Sequence, residues 1–206
     1  MGSSEGRYNR VLRSHHLAMR MVRLEARPST VVAWTKLTRE RVGELAREYR
    51  QEGKWSAHYL RGPSPTSLST LLSSTYMRQE LTAMAGVCQW VGVLPLEKLS
   101  NARAMLPSVE RGERLCDAMR IFRAMVPNSR LTMDQTVLLV TALAQGEDHQ
   151  IAHCPKCSAI VLVDPLAVHR GLCMTCEREA KAGTRSLAEE TPLDHDPATG
   201  TQQSLF

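Results

Sequence analysis

Two Cys-x-x-Cys pairs place the strongest constraint on how this chain can fold. Cys154 and Cys157 form the first pair, Cys173 and Cys176 form the second, and fifteen residues lie between them. Each pair can form a tight turn and the intervening chain can leave and return, so four thiolates can surround one metal ion tetrahedrally. Four sulfur ligands leave no open position for water or substrate, which favours a structural zinc site over a catalytic one. Two disulfides would require an oxidising compartment, and four unligated thiols would leave the spacing unexplained.

The composition indicates a mainly α protein. Hydrophobic residues make up 43% of the 206 residues but aromatic residues only 4%, so Leu, Val, Met and Ala should fill the core, as is typical of helical packing. No apolar run approaches the roughly 20 residues that span a bilayer, and no signal-peptide pattern follows residues 1–10. We therefore expect a cytoplasmic protein without a membrane partner. In that reducing compartment Cys88 and Cys116 should be buried as small hydrophobic residues.

Positive charge is concentrated at the N-terminal end of the sequence. The formal net charge is +5, but residues 1–61 alone contain 13 basic and six acidic side chains. The remaining residues are therefore slightly acidic. Such an asymmetry indicates a polyanionic partner, most often nucleic acid. The alternative is a solvated helical surface of mixed charge.

Apolar residues recur at helical spacing through most of residues 1–150 and predict a helical body. The predicted helical segments cover residues 8–26, 30–37, 39–50, 68–93, 96–106, 113–126 and 131–145. The β-branched residues of 30–37 would also suit a strand. Thr38 is a candidate N-cap, and Thr132 with Gln135 matches a capping box. The final segment is apolar nearly all round, so it should be buried in the body or against a partner.

Residues 30–50 contain the parts of a helix-turn-helix, because a short helix and a tight turn precede a basic second helix. In the second helix an apolar face is formed by Val42, Leu45, Ala46 and Tyr49. Its arginines are candidate DNA-binding residues: Arg39, Arg41, Arg47 and Arg50. They are interleaved with glutamates, and a solvated helical hairpin with ion pairs between neighbouring turns would show the same pattern.

Residues 151–182, here called the cysteine module, have the layout of a small zinc ribbon. Residues 158–163 favour a strand, and Asp164-Pro165 marks a turn before the second cysteine pair. A module of this size cannot bury enough surface to fold alone, so the metal should supply much of its stability. Lys156 and Arg170 are further candidate DNA-binding residues. Residues 183–206 are polar and predict a disordered tail.

The order of these parts resembles the FlhC family, the C subunit of the bacterial flagellar master transcription regulator. The matching residues are 17–19, 37–50, the helix ending near Gln145 and the four cysteines, and the resemblance covers roughly residues 8–183. It implies a mostly helical protein with one structural Zn²⁺. It also implies a hetero-oligomer with a small helical FlhD-like subunit that binds promoter DNA and activates transcription by RNA polymerase.

The chain departs from the pattern of the flagellar members of this family in two regions. After Gly53 the flagellar members have a segment rich in Pro, Phe and Trp, whereas this chain has Lys54-Trp55-Ser56-Ala57-His58-Tyr59-Leu60. The match through residues 68–106 is faint. FlhC-like activators also occur on mobile elements, where they control conjugative transfer, so the target genes stay open.

We expect a DNA-binding subunit of a transcriptional activator. The alternative is a zinc-ribbon subunit that binds only protein partners. An enzyme is not expected, nor is a small-molecule substrate, since the sequence contains no Gly-rich phosphate loop, supported nucleophile motif or open metal site.

Overall fold

The structure, a computed structural model, describes residues 4–51, 67–94, 107–146, 149–164 and 171–180. The predicted helix over residues 96–106, the candidate Arg170 and the predicted tail lie outside these ranges. Within them the fold is mainly helical, as predicted. The elements in chain order are α1 (Ser4–Arg23), α2 (Pro28–Thr35), α3 (Arg39–Gln51), α4 (Leu68–Leu72), α5 (Thr75–Trp90), α6 (Val109–Met125), α7 (Met133–Gln145), β1 (Gln150–His153), β2 (Ile160–Val163) and α8 (174–180).

The first three helices pack against one another. α1 ends before the predicted boundary because the chain turns at Leu24 and Glu25, the latter in the left-handed region with φ 62°. Pro28 therefore does not end α1; it begins α2, where its missing N–H would have no helical partner in any case. The predicted cap of α3 is confirmed, since the Thr38 hydroxyl accepts a hydrogen bond from Arg41 N at 3.3 Å.

The segment predicted as one helical stretch over residues 68–93 is divided into α4 and α5. The break falls at Ser73 and Ser74, and the Ser74 hydroxyl accepts a hydrogen bond from Met77 N at 3.5 Å to cap α5. Apolar periodicity continues through the break, so it could not show where the first helix ends. α6 likewise begins four residues before its predicted start, because Ser108 caps it.

α5 and α6 are antiparallel and form the centre of the helical body. Arg111 donates hydrogen bonds to the carbonyls of Gly92 and Val93 at one end, and Tyr76 Oη donates to the Asn128 carbonyl at the other. Fully buried side chains of the core are mostly aliphatic, as predicted; they include Leu17, Met21, Leu81, Met84, Leu115, Met119 and Leu139. Burial also raises the pKa values of the Cys88 and Cys116 thiols to about 12, which is consistent with their predicted role as small hydrophobic residues.

α7 is partly buried in this body, as its apolar sequence predicted, and it packs against α5 and α4. Its predicted capping box is confirmed: the Thr132 hydroxyl accepts from Gln135 N at 3.2 Å, and the Gln135 side chain accepts from Thr132 N at 2.9 Å. No helix among the described residues is long and apolar enough to cross a bilayer.

An antiparallel hairpin of β1 and β2 begins the cysteine module and packs it against the helical body. The sequence predicted β2 but not β1. Ile151 and Leu162 are register partners and pack on the body core, whereas Val161 on the opposite face of β2 packs with Cys154 and Cys176. Because successive side chains of a strand point to opposite faces, one short hairpin contributes to two cores.

Candidate metal centre

The structure brings the four predicted cysteine ligands together. The Sγ atoms of Cys154, Cys157, Cys173 and Cys176 all lie within 4.8 Å of one another. The loop after β1 carries the first pair, and the start of α8 carries the second, with Cys173 just before the helix and Cys176 inside it. The prediction that these residues form one cluster is therefore confirmed.

Backbone hydrogen bonds shape the first turn. Cys154 N donates to the Ala159 carbonyl at 2.8 Å, and Ser158 N donates to the Cys154 carbonyl at 2.8 Å. Ser158 has φ 60°, in the left-handed region that L-residues adopt at a cost of about 1–2 kcal/mol. This conformation lets the chain reverse directly after Cys157 and enter β2.

A helix start shapes the second turn. Cys173 immediately precedes α8, and Cys176 lies in its first turn. Cys176 N donates to Cys173 Sγ at 3.5 Å, and Glu177 N donates to the Cys173 carbonyl at 2.9 Å. These contacts fix the position of the Cys173 sulfur relative to the first turn of α8.

The four sulfur atoms are close enough together to bind one metal ion. With metal–sulfur bonds of about 2.3 Å, tetrahedral ligands are about 3.8 Å apart. The Cys157 and Cys173 sulfurs are 3.4 Å apart, and no pair exceeds 4.8 Å, so small side-chain adjustments reach the required geometry. All six cysteines of the chain are free thiols, which argues against the two-disulfide alternative.

The environment of the thiols also favours a cation. Backbone N–H groups, that of Cys173 foremost, lower the pKa of the Cys154 thiol to about 6. Burial raises the pKa of the Cys176 thiol to about 12, and the neighbouring thiols add to the increase. Four thiolates this close together would repel one another. A bound divalent cation would supply the positive charge that four thiolates need.

The cluster is closed on the side facing β2. Cys154 and Cys176 are 1% and 4% exposed, and they form a small core with Val161. Cys157 lies at the surface. Because two of the ligands are themselves core residues, loss of the metal would remove support from the packing of the cysteine module.

The predicted DNA-binding residues lie far apart in the sequence and on different elements. The four arginines of α3 are all exposed, whereas Val42, Leu45 and Ala46 on the same helix are buried. Lys156 lies between the first two cysteines, and its Nζ is 2.8 Å from Glu179 Oε2 on α8. This ion pair joins the two halves of the cysteine module, and the sequence analysis missed Glu179.

α2 and α3 pack against each other across the turn Lys36–Thr38. Lys36 has φ 60° and ends α2. Two packed helices joined by a short turn are therefore present, whereas their assignment as a helix-turn-helix and their docking on DNA stay predictions.

No protein-family model matches the chain, and a search of curated proteins gives no significant match. The resemblance to the FlhC family is therefore a hypothesis based on the residues quoted above.

Proposed function

We propose that this protein is the DNA-binding subunit of a hetero-oligomeric transcriptional activator of the FlhC type. The observation that carries the proposal is the surface of α3. That helix buries one apolar face against α1 and α2 and presents all four of its arginines to solvent. An exposed basic helix held on a packed support is the arrangement with which helix-turn-helix proteins contact the major groove and its phosphates.

The arginines of α3 are not equivalent. At about 100° per residue, Arg39, Arg47 and Arg50 fall within an arc of about 80° on one side of the buried face. Arg41 falls on the other side, near the glutamates, and its guanidinium is 2.8 Å from the Glu44 carboxylate. We expect the first three to form the phosphate-contacting surface because they share one side of the helix, whereas Arg41 lies on the other side.

The metal of the cysteine cluster is Zn²⁺ in this proposal. Four thiolates suit zinc, and the two buried ligands leave the role structural rather than catalytic. Cys154, Cys157, Cys173 and Cys176 would hold it. Bound there, it would fix the hairpin and α8 in one orientation beside the body.

The other subunit would be an FlhD-like helical protein. Support comes from α1, where Tyr8, Val11 and Leu12 are 68%, 50% and 41% exposed. Their i, i+3 and i+4 spacing forms one apolar stripe that a partner helix could cover. The complex would act in the cytoplasm at flagellar or conjugative-transfer promoters and would recruit RNA polymerase.

A salt titration of DNA binding tests the proposal. Fluorescence anisotropy with a labelled random duplex, over about 50–300 mM salt, gives the slope of log K against log salt, which is about −0.9 for each phosphate contact. Arg39→Ala, Arg47→Ala and Arg50→Ala should each flatten the slope by about one unit. Arg120→Ala is the matched control, since it removes an arginine that is 74% exposed on α6, away from this surface.

An unchanged slope in all three α3 variants would contradict the role of this helix. A parent protein without salt-dependent DNA binding, alone and with its partner subunit, would contradict the proposed function. That second result would favour the zinc-ribbon subunit that binds only proteins, for which the exposed apolar stripe of α1 is the supporting observation.

A further inference from the structure

The four cysteines of the cluster differ in their access to solvent. Cys157 is exposed and Cys173 is half-buried, whereas Cys154 and Cys176 are 1% and 4% exposed and pack with Val161. The susceptibility of a cysteine to oxidation follows its exposure as well as its charge. The cluster therefore has an accessible half, formed by Cys157 and Cys173, and a buried half, and a dissolved oxidant reaches the Cys157 sulfur first.

The two accessible sulfurs are also neighbours. Cys157 Sγ and Cys173 Sγ are 3.4 Å apart. A disulfide bond holds two sulfurs about 2.05 Å apart, so a shift of about 1.4 Å, shared between two side chains, is sufficient to form one. Such a bond would join the loop after β1 to the start of α8. The ion pair between Lys156 and Glu179, 2.8 Å long, already holds these two segments together.

A disulfide within either Cys-x-x-Cys pair would disturb more of the packing. Each pair contains one accessible and one buried cysteine. A bond between Cys154 and Cys157 would draw the Cys154 sulfur away from Val161 and towards the surface, and a bond between Cys173 and Cys176 would do the same to Cys176. A bond between Cys157 and Cys173 leaves both buried cysteines in their small core.

We propose that Cys157 and Cys173 form a redox-sensitive pair, which hydrogen peroxide oxidises to a disulfide with release of the bound metal. The Cys157 thiolate attacks one oxygen of the peroxide, the O–O bond breaks, and the products are a sulfenic acid and a hydroxide ion. The Cys173 thiolate then attacks the sulfur of the sulfenic acid and expels a second hydroxide ion. The two thiolates lose two electrons, and the peroxide gains them.

The disulfide removes two of the four ligands of the cluster. Cys154 and Cys176 alone are too few for a four-coordinate structural zinc site, so the metal leaves. The hairpin remains packed on the body through Ile151 and Leu162, and a dithiol that reduces the disulfide should restore metal binding. Metal release rests on the zinc proposed above, whereas the disulfide depends only on the cysteine cluster.

Peptide mapping of the full chain tests the pairing. The protein is treated with hydrogen peroxide, its free thiols are blocked with N-ethylmaleimide, and it is digested with trypsin. Trypsin cleaves after Lys156 and Arg170, so the two cysteines of the first pair fall in different peptides from each other and from the second pair. We expect one disulfide between peptides 157–170 and 171–178, and fragmentation should place it at Cys173.

The same experiment contains an internal control. The buried Cys88 and Cys116 thiols of the helical body should be oxidised about tenfold more slowly, or less. A zinc-binding dye should report release of one zinc per chain with the time course of the disulfide, and dithiothreitol with added zinc should reverse both changes. Zinc release without the disulfide would overturn the proposed switch. A parent protein purified without metal would contradict the proposed zinc, and the peptide map would still decide the pairing.

Cys173→Ser and Cys176→Ser are matched variants, because each removes one ligand of the cluster. In Cys173→Ser the sulfenic acid at Cys157 should accumulate, and dimedone, which reacts with sulfenic acids, should label peptide 157–170. Cys176→Ser should still form the disulfide and should take up about tenfold less dimedone. Equal labelling of the two variants, or a disulfide of the parent that contains Cys154 or Cys176, would overturn the proposal.

Discussion

Asp134 connects α7 to α2, and its removal should be among the most destabilising single changes. Its side chain is 4% exposed. Oδ1 accepts hydrogen bonds from Arg27 N at 3.3 Å and from the Thr30 hydroxyl at 2.5 Å, and Oδ2 is 3.5 Å from Arg27 Nε. Asp134→Ala would remove all three contacts and leave the Arg27 guanidinium, 15% exposed, without this carboxylate.

The expected cost follows from this burial. Removal of one partner from a buried ion pair costs about 3–5 kcal/mol. We expect the lower end, about 3 kcal/mol, because Arg27 retains some contact with water. For a protein of this size 1 kcal/mol corresponds to about 2–4 °C in Tm, so Tm should fall by about 6–12 °C.

Urea denaturation followed by circular dichroism measures this difference directly. Asp117→Ala is the matched control, because Asp117 also pairs with an arginine, Arg20 at 2.6 Å, but is 47% exposed. Exposed pairs contribute about 0–1 kcal/mol. A free energy of unfolding for Asp134→Ala within about 0.5 kcal/mol of the control would refute the reasoning that burial makes this contact decisive.

Three further predictions concern the core, the first cysteine turn and pH. Gly112→Ala should lower the free energy of unfolding, measured in urea, by about 1–3 kcal/mol, because the new Cβ would lie 2.6 Å from the buried Leu17 Cδ2. Nothing lies within 4 Å of the Cβ that Gly43→Ala would add, so this variant should stabilise α3 by up to about 1 kcal/mol. Equal effects of the two variants would contradict the packing at Gly112. Ser158→Gly should stabilise the cysteine module by about 0.5–1 kcal/mol and slow the release of a metal ion bound by the four cysteines, since glycine accepts φ 60° without strain. Faster release would count against this. The hydrogen bond from Arg13 lowers the pKa of Glu113. Glu113→Gln should therefore have a lower free energy of unfolding than the parent at neutral pH, and this difference in stability should vanish as pH falls through the lowered pKa. A difference in stability that does not change with pH would exclude the ion pair.

Local sequence patterns were sufficient to predict most of the helices and the four-cysteine cluster. The caps at Thr38 and Thr132 depend on side chains within four residues of each other, and the cysteine pairs specify their own geometry. These features depend on short-range chemistry, which a single sequence contains directly.

Features that depend on tertiary contacts could not be predicted in the same way. β1 was missed because its four residues become a strand only by pairing with β2. The break at Ser73 and Ser74 was missed because apolar spacing continues across it. An open groove lined by Trp90, Met125 and Leu172 combines α5, the end of α6, β2 and residues 171–177, so no local pattern indicates it.

The most direct test of the central claim, a structural four-cysteine zinc centre, is X-ray absorption spectroscopy of the full chain purified without chelator. We predict one zinc per chain with four sulfur ligands at about 2.3 Å. Cys157→Ser should lose a sulfur ligand, although Cys157 is at the surface and its replacement leaves the body core intact. Zinc with nitrogen or oxygen ligands in the parent, or a parent protein without bound metal, would contradict the account.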